Sequence, residues 1–131
     1  MSAAAASPVR RVLVVDDESP TTVSFVRMLQ SEGFDVESAL DGQTGLRLAR
    51  ERTFDAILLD LRMPVLDGLE FLRRLRAIPS CRDTPVAIVT GYYLVDEAAL
   101  AEIEQLGAVV RYKPLFFDDL IDLTRTLAAT R

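Results

Sequence analysis

Apolar positions along the chain fall into five short runs separated by longer mixed segments. The runs are VLVV (Val12 to Val15), FDV (Phe34 to Val36), AILL (Ala56 to Leu59), VAIV (Val86 to Val89) and AVV (Ala108 to Val110). Most are rich in β-branched side chains and lack apolar–polar alternation, the pattern of strands covered on both faces. The mixed segments instead carry apolar residues at helical intervals. Ser19, followed by Pro20, predicts the N-cap of a first helix with Val23, Val26 and Leu29 on its apolar face, and Gly33 closes it. Asp67 and Glu70 stand in capping-box spacing ahead of Leu69, Leu72 and Leu75, in a helix that ends before Pro79. Ala99, Ile103 and Leu106 carry another helix up to Gly107, and Leu120, Ile121, Thr124 and Leu127 form the face of the last. Strands alternating with helices throughout predict five βα units: a parallel sheet with right-handed crossovers and helices on both faces.

Composition narrows the chemistry rather than the fold. A chain of 131 residues fits one domain with one real core, read here as residues 10–131 behind a frayed tail of residues 1–9. No apolar stretch approaches the ~20 residues that span a bilayer, and the opening MSAAAASPVRR lacks the apolar segment of a signal peptide, so the expected location is the cytoplasm. Cys81 is the only cysteine and histidine is absent, which excludes an internal disulfide, a histidine metal site and any histidine-based triad. A net charge of −5 argues against general binding of nucleic acid, which depends on cations that neutralise phosphates. Among 15 basic residues there is a single lysine, Lys113, in the sequence YKPL.

Open parallel sheets bind ligands beyond the carboxyl ends of their strands. There the first run is followed by Asp16, Asp17 and Glu18, the third by Asp60, the fourth by Thr90 and Gly91, and the fifth leads to Lys113 and Pro114. Singly, each has an ordinary role as a cap, a turn residue or a solvated charge. Jointly they crowd carboxylates that repel one another unless a cation or a proton joins them. Oxygen ligands without nitrogen or sulfur suit Mg²⁺, which is typically held by one or two carboxylates together with a phosphate. A carboxylate in such a rim can itself attack phosphorus and form an aspartyl phosphate, a transfer that needs mainly alignment and charge neutralisation. Thr90 would donate to one phosphoryl oxygen, and Lys113, a compact charge on a flexible stem, would pair with another.

In this arrangement VLVVDDE (Val12 to Glu18), ILLDLRMPVLDGLEFL (Ile57 to Leu72), AIVTG (Ala87 to Gly91) and YKPL (Tyr112 to Leu115) resemble the receiver domain of bacterial two-component response regulators. The resemblance implies a flavodoxin-like (βα)5 fold, a doubly wound parallel sheet of strand order 2-1-3-4-5. It implies that Asp60 accepts a phosphoryl group from a sensor histidine kinase or a phosphotransfer protein. Asp17, Asp60 and the backbone carbonyl of Arg62 would bind Mg²⁺, with Asp16 acting mostly through a metal-bound water, and Thr90 and Lys113 would hold the phosphoryl oxygens. Pro64 and Gly68 would shape the loop beyond the acceptor, and the Lys113–Pro114 bond would be cis. Output would pass through the face of the fourth helix, fifth strand and fifth helix to a downstream protein or a second copy of the chain.

The family's coupling aromatic lies three residues before the lysine, where this chain has Val110; its nearby aromatic is Tyr112, and a plain core role is expected for Val110. Arg62 and Tyr92, each two residues beyond a site residue, are bulky enough to shade the phosphorus and lengthen the life of the phosphoryl group. A receiver-like scaffold that docks without phosphorylation is one alternative; the retained acidic pair, acceptor, threonine and lysine argue against it, and the altered Val110 position keeps it open. An aspartyl-phosphate phosphohydrolase is another, disfavoured because such enzymes place a second acid where this chain has Arg62. The chain reads either as a stand-alone receiver or as part of a longer regulator.

Overall fold

The computed structural model describes residues 9–91 and 95–130. The expected tail, but for Val9, and the expected role of Tyr92 lie outside the described residues. The chain runs β1 (Arg11–Val15), α1 (Ser19–Ser31), β2 (Asp35–Ala39), α2 (Gly42–Glu51), β3 (Ala56–Leu59), α3 (Gly68–Ala77), β4 (Val86–Thr90), α4 (Glu97–Gln105), β5 (Val109–Tyr112) and α5 (Phe117–Ala129), with a 3-10 turn at Pro79–Cys81. All strand pairs are parallel and the sheet order is β2-β1-β3-β4-β5, as expected.

Strand alternation divides the apolar residues between two cores. Leu13, Val15, Ile57, Leu59 and Ile88 meet Leu46 of α2, Phe71 and Leu72 of α3 and Ile103 of α4 on one face. Val12, Val14, Leu58 and Val89 meet Phe25 and Leu29 of α1 and Leu120 and Ile121 of α5 on the other. Successive strand residues point to opposite faces, so a strand covered on both sides needs an unbroken apolar run. That holds for the three central strands, whereas the edge strands β2 and β5 are largely exposed or half-buried.

Local differences from the sequence pattern have local causes. Glu18, not Ser19, occupies the cap position of α1, and the helix buries Thr22, Phe25 and Leu29 while Val23 is 46% exposed. Thr22 fixes that rotation, because its Oγ1 donates to the Asp16 carbonyl (3.0 Å) and its N–H to the Glu18 carbonyl (3.0 Å). β2 starts one residue after Phe34 and runs on through Glu37 and Ser38, polar residues that an edge strand tolerates. Gly33 and Gly107 end their helices at φ 89° and 77°, the left-handed conformation that favours glycine. Asp67 caps α3 as predicted, accepting the Glu70 N–H at 2.9 Å.

α4 buries only Ile103. Two arginines of α3 tie it down instead. Arg73 forms a two-pronged pair with Glu102, and the half-buried Arg76 guanidinium donates to the carbonyls of Leu106 (2.7 Å), Cys81 (2.9 Å) and Thr84 (2.8 Å). No helix among the described residues is long and apolar enough to cross a membrane.

Candidate functional site

The sheet's own hydrogen bonding brings the site together. The Asp16 N–H donates to the Ala39 carbonyl (3.1 Å) and the Asp60 N–H to the Val15 carbonyl (2.9 Å), which carries the ladders one step past the ends of β1 and β3. The Lys113 N–H donates to the Thr90 carbonyl (2.8 Å), extending the β4–β5 ladder in the same way. Asp16, Asp60, Thr90 and Lys113 thus come to one rim because four parallel strands end at one level. The Lys113–Pro114 bond is cis, as the resemblance implied.

Asp16 and Asp60 are buried and Asp17 is exposed, yet all three present carboxylate oxygens within 4.8 Å of one another. Lys113 Nζ lies 3.0 Å from Asp16 Oδ2, 3.5 Å from Glu18 Oε1 and 3.8 Å from Asp60 Oδ2. Burial pushes the Asp60 carboxyl above its ordinary range and the Asp16 charge adds to this, while Lys113 pulls the other way. Burial also opposes the charge on Lys113, but Asp16, Asp60 and Glu18 together outweigh it and raise the ammonium's pKa. Thr90 stands close enough to Asp60 to favour its charged form, and its fully buried Oγ1 has no partner within hydrogen-bonding distance among the described residues. An unpartnered buried hydroxyl costs about 1–3 kcal/mol, a penalty that an arriving acceptor oxygen would remove.

The rim opens into a cavity of about 660 Å³ lined by Asp17, Glu18, Asp60, Arg62, Met63, Pro64, Gly91 and Lys113. Asp16 does not line it: Oδ1 accepts the Glu18 N–H (2.9 Å) and Oδ2 accepts from Lys113. The carboxylates lining the opening are therefore those of Asp17, Glu18 and Asp60, and the cluster of Asp16, Asp17 and Asp60 is a donor set of hard oxygens that fits Mg²⁺ better than a softer transition metal.

The loop beyond Asp60 is strained at its tip. The Leu66 N–H donates to the Pro64 carbonyl (2.7 Å) across Val65, whose φ is 69°. This is a γ-turn of the rarer, positive-φ form, and a β-branched residue is poorly suited to it. Val65 makes no compensating packing, being 97% exposed. Val65→Asn is therefore expected to stabilise the protein by about 1 kcal/mol, read as a higher urea midpoint with an unchanged m-value. Gly68 underlies the same loop: its N–H donates to the Leu61 carbonyl (2.8 Å), and a Cβ there would meet the Asp60 carbonyl and lie 2.7 Å from Leu61 Cα.

Val110 packs against the core on the α2–α4 side and Tyr112 follows it on the same face of β5, directly opposite Thr90 in the register. The core role expected of Val110 is the one it has. Two contributions went unseen in the sequence. Glu18 was placed at the strand end without a role, and the Arg76 anchor left no signal beyond an arginine in the last turn of a helix.

Fold and site define an open parallel α/β domain whose reactive groups, an acidic cluster with one lysine, sit at the carboxyl ends of the strands. The profile of the response regulator receiver domain matches residues 12–124, and the chain belongs to that family. It is 39% identical over 121 residues to the transcriptional regulatory protein PrrA of Mycobacterium tuberculosis, covering 92% of this chain and 51% of that protein. It is 36% identical over 117 residues to the response regulator MprA of Mycolicibacterium vanbaalenii, covering 89% and 49%. The chain thus spans about half the length of these relatives. Among solved structures, the chemotaxis protein CheY4 of Vibrio cholerae superposes with a TM-score of 0.85 at 29% identity, covering 92% of this chain and 99% of that one. A receiver domain protein from Methanospirillum hungatei superposes with a TM-score of 0.86 at 25% identity, covering 94% and 96%.

Proposed function

We propose that the chain is a phosphorylation-dependent switch in which Asp60 accepts a phosphoryl group from the phosphohistidine of a sensor kinase or phosphotransfer protein. A carboxylate oxygen of Asp60 attacks phosphorus while the bond to the donor nitrogen breaks, so the phosphoryl group moves and the imidazole leaves with the bonding pair. Asp17, Asp60 and the Arg62 backbone carbonyl would hold Mg²⁺, which supplies charge neutralisation at a phosphoryl oxygen, and Asp16 would act at one remove. Thr90 Oγ1 donates to a second phosphoryl oxygen and the Lys113 ammonium turns from Asp16 toward a third. The observation that carries this reading is the buried Asp60 facing an open cavity, flanked by a cation at 3.8 Å and a buried hydroxyl that lacks a partner among the described residues.

The new charge biases the position of Thr90 and of the elements beside it, so the output face is that of α4, β5 and α5. That face would dock a downstream protein or a second copy of the chain in the cytoplasm. Arg62 is exposed on the cavity wall, where its side chain would shade the phosphorus from water and prolong the phosphorylated state. The reading is tested with acetyl phosphate and Mg²⁺. The intact protein is expected to gain one phosphoryl group, localised to Asp60 by borohydride trapping, and EDTA is expected to prevent it. No mass gain in the wild-type protein at saturating Mg²⁺ would overturn the proposal.

A further inference from the structure

Lys113 is held by a third carboxylate that the reading above leaves without a task. Glu18 occupies the cap position of α1, where a side-chain acceptor ordinarily bonds the free N–H groups of the first turn, yet its carboxylate makes no capping bond. The backbone explains where it goes instead. The Glu18 N–H is fixed to Asp16 Oδ1 (2.9 Å) and its carbonyl accepts the Thr22 N–H (3.0 Å), an arrangement that leaves the side chain on the cavity wall with Oε1 3.5 Å from Lys113 Nζ. The rim therefore sets four carboxylates, Asp16, Asp17, Glu18 and Asp60, against one ammonium.

We infer that Glu18 is a positioning residue that sets the resting place of Lys113 and the charge at the mouth of the site. The inference rests on Asp60 being the phosphoryl acceptor. Before transfer, Glu18 and Asp16 draw the ammonium to the β1 side of the rim, 3.8 Å from Asp60 Oδ2. During transfer Lys113 must leave Glu18 to meet the phosphoryl oxygen, so the contact favours the unphosphorylated state. Its negative charge also attracts a divalent cation and repels an anionic phosphodonor. Glu18 thus acts in opposite directions on the two ligands of one site, which a merely structural residue would not do.

The test compares wild type with Glu18→Gln, which keeps the shape and removes the charge; at 64% side-chain exposure the residue tolerates this without loss of the fold. Mg²⁺ affinity is measured by calorimetry on the unphosphorylated protein, and the rate of modification by acetyl phosphate at saturating Mg²⁺. The variant is expected to bind Mg²⁺ about threefold to tenfold more weakly and to be modified faster by a similar factor, as befits one charge acting across a partly solvated rim. Both differences should shrink in 1 M salt. Glu18→Asp, which keeps the charge on a shorter arm, should retain the Mg²⁺ affinity of wild type. Unchanged values in Glu18→Gln, or changes of the same sign in binding and rate, would overturn the inference. Failure of wild type to be modified overturns the acceptor reading instead, a separate result.

Discussion

Asp60→Asn is expected to abolish phosphorylation by acetyl phosphate and, at the same time, to make the unmodified protein more stable. The first effect follows from chemistry, since the amide lacks the carboxylate nucleophile. The second follows from the site's electrostatics. Asp60 is 6% exposed and its carboxyl titrates above the ordinary value of 3.8, first because of burial and then because Asp16 is near; Lys113 only partly offsets this. With a raised folded-state pKa, the folded protein holds the Asp60 proton more tightly than the unfolded chain does. That contribution is complete below the ordinary value and is lost as pH rises through the raised one. At neutral pH the wild type therefore carries a buried, poorly compensated charge that asparagine removes. The expected gain is on the order of 1 kcal/mol. In thermal melts across pH the gap should be widest near neutrality and should close below about pH 4. Mg²⁺ should narrow it at neutral pH by stabilising the wild type preferentially. An asparagine variant less stable than wild type at pH 7 would contradict this account of the site.

Gly68→Ala is expected to damage stability and phosphorylation together. A methyl group at that position meets backbone rather than a flexible side chain, the Asp60 carbonyl and Leu61 Cα, and the Gly68 N–H bond to the Leu61 carbonyl prevents a simple retreat. The loop must open, and the residue displaced with it is the acceptor itself. Overpacking of this kind costs about 1–3 kcal/mol. The rate of modification by acetyl phosphate should fall at least tenfold, because alignment is the main requirement of phosphoryl transfer. Gly33→Ala is the matched control. Gly33 has φ 89° but nothing within 4 Å of an added Cβ, so strain of about 1 kcal/mol should appear in stability with no change in modification rate. Equal losses of rate in both variants would show that the effect of Gly68 is general rather than local.

Much of this protein was legible along the chain because its information is periodic. β1, β3 and β4 stood out because strands covered on both faces must be apolar at every position, and the Asp67 cap and the closing Gly33 and Gly107 are local devices that act over three or four residues. The edge strands were read short for the same reason: β2 includes Glu37 and Ser38, and β5 continues through Arg111 to Tyr112. The apolar face of α1 was read one residue off, since Val23 fits a helical spacing as well as Thr22 does. Only the bond from Thr22 to the Asp16 carbonyl, a contact made by the fold, selects between them.

The residue types of the site, and the chemistry open to them, followed from the sequence by itself: without histidine and with a single cysteine, only carboxylates, a hydroxyl and a lone lysine remained at the strand ends. The tertiary structure decided how they share charge. It turns Asp16 inward toward Lys113 and the Glu18 N–H, leaves Asp17, Glu18 and Asp60 facing the cavity, leaves the Thr90 hydroxyl without a partner among the described residues, and anchors α4 through Arg76. The physical reason is range. Periodicity and capping are written within a few residues of one another, whereas the contact between Asp16 and Lys113 spans 97 positions and exists only once four strands end at one level.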